Sequence, residues 1–352
     1  MRVAVDATPL ILSSGGLARY TLELSQALAT EFPGDEYFLV SDQKFALPPG
    51  KLKMGAGPAG PFERRWWLWG VQREMKRLGA GVFHGTNFAV PYYPTRPSVM
   101  TLHDLSPWMD RSWHHAANRV RRIAPVLIGL GVPTMIITDS EAVRLQAIER
   151  FRINPNRIVA VPLAASAHFR PVSAAPPPRP FFLYVGTLEP RKNLPFLVDA
   201  WRPVHSRYGV ELVLAGRRRE DFAGLPEEPG LRITGETAEE DLPTLYSQAL
   251  AFVYPSLYEG FGLPVLEAMQ CGACVITSTD PAITELVDDA GVRIDPRDSR
   301  GWTETLAACA SGRDWLRGRR ERSLSRSREF SWSRTARRTH EVYLEAMRRF
   351  HG

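Results

Sequence analysis

Two carboxylates flank a glycine-rich turn in Tyr254-Pro255-Ser256-Leu257-Tyr258-Glu259-Gly260-Phe261-Gly262-Leu263-Pro264-Val265-Leu266-Glu267. Proline suits the start of a helix, so Pro264 predicts that Glu259 sits in the loop before a helix and Glu267 about one turn inside it. At those heights Glu259 can address a sugar ring and Glu267 can accept bonds from two neighbouring ribose hydroxyls. Backbone amides from Gly260 to Leu263, including those of Phe261 and Gly262, would face phosphates at the helix start. The structural alternative is that Glu267 merely complements the helix dipole and Glu259 caps the loop.

A second cluster reads Gly186-Thr187-Leu188-Glu189-Pro190-Arg191-Lys192-Asn193. Adjacent cations at a strand-to-helix turn can neutralise a diphosphate leaving group, a task otherwise given to a divalent metal. The chain contains no Asp-x-Asp motif, so Arg191 and Lys192 are expected to do this without metal. Exposed, solvated cations are the plainer reading. Thr101-Leu102-His103-Asp104 sets an imidazole after a strand, where it could donate to sugar or phosphate oxygens or be tied structurally to Asp104. Ser13-Ser14-Gly15-Gly16 leads into a helix, which fits either close approach to an anion or ordinary turn chemistry. That loop is not a Gly-x-Gly-x-x-Gly dinucleotide fingerprint, and no Gly-x-x-x-x-Gly-Lys-Ser/Thr loop occurs in the chain.

These clusters need a scaffold that places strand ends side by side. Short β-rich apolar runs alternate with longer amphipathic segments, the pattern of βα units around a parallel sheet. In the first half the expected strands are 2–6, 37–41, 82–84, 98–102, 135–138 and 158–161, with helices over 16–29 and 140–151. The pattern breaks at the proline-rich stretch 171–180, which excludes helix and central strand and is taken as a hinge. It restarts with strands expected at 181–185, 211–214, 231–234, 251–254, 274–277 and 291–294. In open parallel sheets ligands bind beyond the carboxyl ends of strands, where all the polar clusters above fall.

The 352 residues exceed what a single core usually organises, so two domains of roughly 170 residues are expected. A formal charge of +6 suits an anionic partner without choosing among nucleic acid, acidic membrane and phosphorylated small molecule. Arginines crowd 317–338, read as a solvated helix face. Cys271, Cys274 and Cys309 are too few for a disulfide framework. Cys271 and Cys274 have metal-like spacing, but further ligands are lacking, so no metal site is expected. The sequence begins directly with Val3-Ala4-Val5, from which no secretory leader is expected, and the apolar stretch 126–137 is short and broken by Gly129, Gly131 and Pro133. Any membrane contact should be peripheral. Residues 62–77 mix Trp66, Trp67 and Trp69 with Arg64, Arg65, Arg73, Lys76 and Arg77, which reads either as a helix lying on an anionic bilayer or as a domain helix with buried tryptophans.

With these residues in view, the chain resembles the retaining glycosyltransferases of the GT-B architecture, specifically family 4. The resemblance spans nearly the whole length and rests on the Gly15-Gly16 loop, His103-Asp104, the Gly186–Asn193 turn, the Glu259-to-Glu267 string and Phe330-Ser331-Trp332 before a last helix. It implies an α/β fold of two Rossmann-like doubly wound domains with an interdomain cleft. An acceptor domain would occupy 1–170, the hinge 171–180 and a donor domain 181–330, with a helix at 331–352 packing back on the first domain. By the same resemblance Gly15 and Gly16 would approach the diphosphate or sugar, His103 the sugar, and Gly186, Thr187, Arg191 and Lys192 the diphosphate. Glu259 would meet the sugar hydroxyls and Glu267 the ribose, with the nucleobase near Thr234 and Gly235. His103, Glu259, Arg191 and Lys192 carry the implied catalysis. Thr187 replaces an extra phosphate-binding Arg of some relatives, and Ala164-Ala165 replaces a common Gly-Val.

The implied reaction is transfer with retention through an oxocarbenium-like transition state, closure excluding water. The leaving phosphate oxygen would take the acceptor proton. The substrate would be a nucleotide diphosphate sugar, with GDP-mannose favoured over a UDP-sugar, and no cofactor is expected. The acceptor would be a glycan or lipid-linked species of surface-polysaccharide synthesis, reached in the cytoplasm or at the inner face of the membrane. A non-catalytic nucleotide-sugar or nucleic-acid binder is the rival class, although no nucleic-acid recognition motif occurs. A GT-B epimerase or phosphorylase is the rival within enzymes.

Overall fold

The computed structural model describes residues 1–12, 15–113 and 118–350. It comprises two compact units, Met1–Leu163 with Ser331–Gly352, and Ala164–Phe330.

The first unit is built on β1 (Arg2–Asp6), β2 (Glu36–Val40), β3 (Lys53–Met54), β4 (Val82–Gly85), β5 (Ser98–Leu102), β6 (Met135–Thr138) and β7 (Ile158–Ala160). They hydrogen-bond in the order β3-β2-β1-β4-β5-β6-β7, every pairing parallel. Val3, Ala4, Val5, Val82, Phe83, Val99 and Met100 are fully or almost fully buried, as expected where helices cover both faces of a parallel sheet. The sequence pattern misses β3, since both of its residues are exposed and carry no apolar run.

The second unit repeats the plan with β8 (Phe181–Val185), β9 (Glu211–Ala215), β10 (Leu231–Gly235), β11 (Ala251–Tyr254), β12 (Val275–Ser278) and β13 (Val292–Ile294), ordered β10-β9-β8-β11-β12-β13 and parallel throughout. Each sheet reverses its strand order once, between β1 and β4 and between β8 and β11. At such a switch point the two flanking loops diverge and leave a crevice beyond the strand ends.

The division of the chain falls at Leu163 and Ala164, ahead of the proline-rich stretch. Prolines exclude regular structure there, yet the segment is held by the second unit: Val172 N donates to Ser247 Oγ at 3.0 Å, and Ala175 O accepts from Gln248 Nε2 at 2.7 Å. At the other end Ser331 caps the helix Trp332–Arg349 by accepting from Arg334 N. Thr335, Ala336, Thr339, Val342, Tyr343 and Ala346 form its buried face, and the helix packs against the helix Gly16–Glu31.

The arginine-rich helix Arg313–Ser327 departs from a purely solvated face. Arg326 Nε and Nη2 reach Leu286 O and Glu285 O at 3.0 and 2.9 Å, at the end of the helix Pro281–Val287, and Arg320 Nη2 reaches Ala249 O at 2.6 Å, just past the helix Leu242–Gln248. Helix carboxyl ends carry unpaired carbonyls that attract cations, so these side chains finish neighbouring helices. Cys271, Cys274 and Cys309 are reduced and buried, burial pushing the Cys271 thiol up to about 12 and the Cys274 thiol to about 11. Among the described residues no cluster suited to a metal ion occurs, and no helix is long and apolar enough to cross a membrane.

Candidate active site

Three of the residues singled out from sequence converge at the switch point of the second sheet. Beyond β8 a short helical turn, Pro190–Lys192, presents Arg191 and Lys192, and beyond β11 the loop presents Glu259. Lys192 Nζ donates to Glu259 Oε1 at 2.6 Å and to Tyr254 OH at 2.8 Å. Arg191 Nη1 donates to Glu259 Oε2 at 3.0 Å and to Tyr258 O at 2.7 Å. Glu259 and Lys192 are each 6 % exposed. Burial alone would raise the Glu259 carboxyl, but Arg191 and Lys192 outweigh it and hold the group at about 2. The two cations are therefore paired, not the solvated pair of the plainer reading. An ammonium has three donors, so the two bonds of Lys192 leave it one for a further anion.

Supporting residues went unnoticed in the sequence. Glu189 Oε1 accepts from Arg191 Nε at 3.1 Å, while its other oxygen pairs with Arg219. Asp280, which caps the helix Pro281–Val287, accepts from Glu259 N at 3.2 Å. Burial raises the Asp280 carboxyl to about 6. The Asp280-Pro281 pair signals a helix start, and that was the only clue; nothing local ties Glu189 to Arg219.

Gly186 follows β8, Gly216 follows β9 and Gly235 ends β10. Gly186 N bonds Ala215 O at 2.9 Å and Gly216 N bonds Gly235 O at 2.8 Å, so the three form a row along the carboxyl edge. A Cβ on Gly216, whose φ is +150°, would lie 2.0 Å from Gly186 O, a backbone approach only glycine permits. Thr187 accepts at its carbonyl from Tyr184 OH at 3.1 Å. Thr234 is exposed on the edge strand, its hydroxyl 3.1 Å from that of Thr237.

The helix following Glu259 runs Leu263–Gln270, with Gly262 before it in a left-handed conformation (φ 98°). A Cβ there would meet Ile283 Cδ1 at 2.3 Å. Gly260, Phe261 and Gly262 are buried and Leu263 is half-buried. Glu267 lies in the second turn, 1 % exposed, with Oε2 accepting from Tyr246 OH at 2.9 Å. It is thus part of the same loop-helix unit but does not join the Arg191–Lys192–Glu259 cluster.

His103, Gly15 and Gly16 belong to the first unit. His103 is held by Asp139 Oδ2 on Nδ1 and Thr86 O on Nε2, both at 2.7 Å. The expected structural tie to Asp104 is not formed: that carboxylate turns to Ser106 N at 2.9 Å and Ser106 Oγ at 2.6 Å. Burial opposes the imidazolium, yet Asp139 and the Thr86 carbonyl raise His103 above its ordinary value. Two acceptors facing two ring nitrogens suit the doubly protonated ring. Donation to a sugar would require release of Thr86 O. Gly15 and Gly16 are exposed, Gly15 preceding the helix Gly16–Glu31, while Ser13 and Ser14 lie outside the described residues.

The strand-end glycines, the charged cluster at the switch point and the duplicated Rossmann-type sheet set this geometry beside known proteins. Residues 179–311 match the model of the family described as glycosyl transferases group 1. The chain is 34% identical to O-antigen chain mannosyltransferase B of Escherichia coli, over 97% of this chain and 99% of that one. The chain belongs to the group 1 glycosyltransferases. The fold of this glycosyltransferase also matches sucrose-phosphate synthase from Thermosynechococcus elongatus, with TM-score 0.78, 20% identity and coverage of 98% of both chains. It matches Anabaena HepE, solved in complex with UDP-glucose, with TM-score 0.73, 17% identity and coverage of 98% of this chain and all of that one (100%). These neighbours establish two Rossmann-like domains of the GT-B class.

Proposed function

We propose that this glycosyltransferase moves mannose from a nucleotide diphosphate sugar, GDP-mannose, to a glycan or lipid-linked acceptor of a cell-surface polysaccharide, with retention and without metal. The reading is carried by one observation: Glu259 bridges Arg191 and Lys192 at the β8/β11 switch point. A carboxylate between two cations fixes their direction before substrate arrives, which is what stabilising a leaving diphosphate requires. The open donor of Lys192 meets a phosphate oxygen, Glu259 the sugar hydroxyls, and Gly186 and Gly216 allow backbone approach to the diphosphate. Mannose is supported by the full-length likeness to the Escherichia coli mannosyltransferase, and a nucleotide-sugar donor by the HepE complex. The phosphate oxygen that leaves takes the acceptor proton on the same face, so no separate protein base is needed. His103 and Glu267 serve the sugar and ribose once their present bonds exchange, and Thr234 and Gly235 flank the base. The protein acts in the cytoplasm at the inner membrane face, touching it through exposed aromatic and basic residues of 62–77.

Product analysis with labelled GDP- and UDP-sugars tests this. Transfer from GDP-mannose, preserved in EDTA and giving the α-anomer, is expected; hydrolysis alone, epimerisation or no turnover would sink the proposal. Lys192→Ala should cost turnover on the order of 100-fold while leaving the melting temperature far less affected.

A further inference from the structure

The amino-terminal edge of the first sheet, opposite the edge that carries His103, holds a cavity of about 540 Å³. Thr134 stands just before β6 and Arg157 just before β7, while Arg349 and Phe350 come from the end of the helix Trp332–Arg349. Residues that precede parallel strands share one edge, which is why positions so far apart in the chain meet here. Pro94 also lines the cavity and follows Tyr93, a ring that is 61 % exposed. The volume falls within the range of small-molecule sites.

Two guanidiniums face this space, and among the described residues no carboxylate lines it. Arg157 is fixed by backbone carbonyls: Nη2 donates to Gly131 O at 3.1 Å and to Pro133 O, and Nε lies 3.4 Å from Thr134 O. These dipoles aim the side chain without cancelling its charge. Its Nη1 has no partner among the described residues and lies over Gly131, where an added Cβ would be 3.3 Å away. Arg349 Nε pairs with Glu345, which also takes Arg348, so one carboxylate serves two arginines and Arg157 has none. Burial, with Arg349 beside it, lowers the Arg157 guanidinium below its ordinary value, as expected where like charges are held together. Thr134 Oγ1 accepts from Ser98 N at 3.1 Å, which leaves the hydroxyl hydrogen to donate.

We infer that this cavity binds a phosphate group, held between the guanidiniums of Arg157 and Arg349 with the Thr134 hydroxyl as a further donor. Two cations without an acid between them repel, and an anion that accepts from both converts the repulsion into attraction. The planar fork of a guanidinium matches pairs of phosphate oxygens. The cavity has room for the group that bears the phosphate, and a soluble phosphate ester and a lipid headgroup share this chemistry. Because the site lies at the edge away from the strand carboxyl ends, its occupant is not the sugar donor, and the inference stands apart from the transferase reading.

Titration of the full chain with inorganic phosphate at low chloride, followed by NMR through the arginine Nε–H signals, tests the site, since Arg191 reports the donor site separately. The Arg157 signal should shift saturably in the wild type. Arg349→Gln should weaken that binding at least about tenfold, equivalent to about 1.4 kcal/mol, with little change in melting temperature because the side chain is 39 % exposed. Arg348→Gln removes the same charge from the same helix outside the cavity and should bind as the wild type does. An Arg157 signal that does not respond in the wild type, or equal loss in the two variants, would overturn the inference. Flotation with phosphatidylglycerol vesicles separates the two sources. A deficit confined to Arg349→Gln assigns the site to a lipid headgroup, and equal flotation of the two variants assigns it to a soluble phosphate ester.

Discussion

Glu259 is a buried acid that remains charged because two cations surround it. Its carboxyl is held at about 2 against an ordinary 4.5, so the stabilisation it contributes is complete above 4.5 and is lost as pH falls through about 2. The span corresponds to stability on the order of 3 kcal/mol. Denaturant melts between pH 5 and pH 2 should show this loss in the wild type and a shallower one in Glu259→Gln; identical slopes would remove the carboxylate from the account. Glu259, Arg191 and Lys192 were singled out by residue type and position after a strand, and the structure brings the three together. Their direct pairing was not legible, because residues from β8 and β11 loops meet only once the strands are neighbours. His103 illustrates the converse. Its neighbour in sequence, Asp104, was the natural partner to expect, whereas the side chain 36 positions on, Asp139, is the one it meets.

At the scale of elements, twelve of the strands were readable within a residue or so at their ends, most of them because buried parallel strands are continuous apolar runs. The exposed two-residue β3 carries no such signal. In residues 62–77 the tryptophans differ in burial. Trp66 is buried in a cluster with Val71, Met75 and Phe83, and Arg77 is tied to buried Glu63 and Glu74. Trp69 instead stays outside, stacked between Phe62 at 5.7 Å and Tyr93 at 6.1 Å, and these rings are 41 %, 51 % and 61 % exposed respectively. Exposed Arg64 and Arg65 adjoin them. Such an aromatic and cationic shelf suits the headgroup region of an anionic bilayer. Flotation with vesicles containing phosphatidylglycerol should carry the wild type upward at low salt and leave Phe62→Ser/Trp69→Ser/Tyr93→Ser behind; equal flotation would assign the shelf another role.

Across the whole molecule the chain leaves the first unit after Leu163 and returns to it at Ser331. The returning helix is part of that unit's core. Tyr343 OH lies 2.7 Å from His84 Nδ1, and His84 Nε2 lies 2.8 Å from Thr101 Oγ1, which meets Tyr20 OH at 2.9 Å. Thr335 Oγ1 donates to Pro162 O at 2.7 Å. Removing 331–352 would expose the Val342 and Tyr343 contacts, roughly 1.5–3 kcal/mol for each large side chain, and would orphan the buried His84. That sum rivals the total stability of a typical domain. Limited proteolysis of the truncated chain should digest 1–163 while sparing 164–330; equal resistance of both would show that the helix is dispensable.

Composition, periodicity and glycine placement sufficed for two parallel α/β units and the strand ends that carry polar residues, because those are local properties of burial and backbone conformation; the family was reached through the resemblance of the motifs. Tertiary structure decided which charges pair, which tryptophan is left outside and which arginines finish neighbouring helices. Such outcomes depend on contacts between segments far apart in the chain, and their energies exist only after the strand order has brought those segments together.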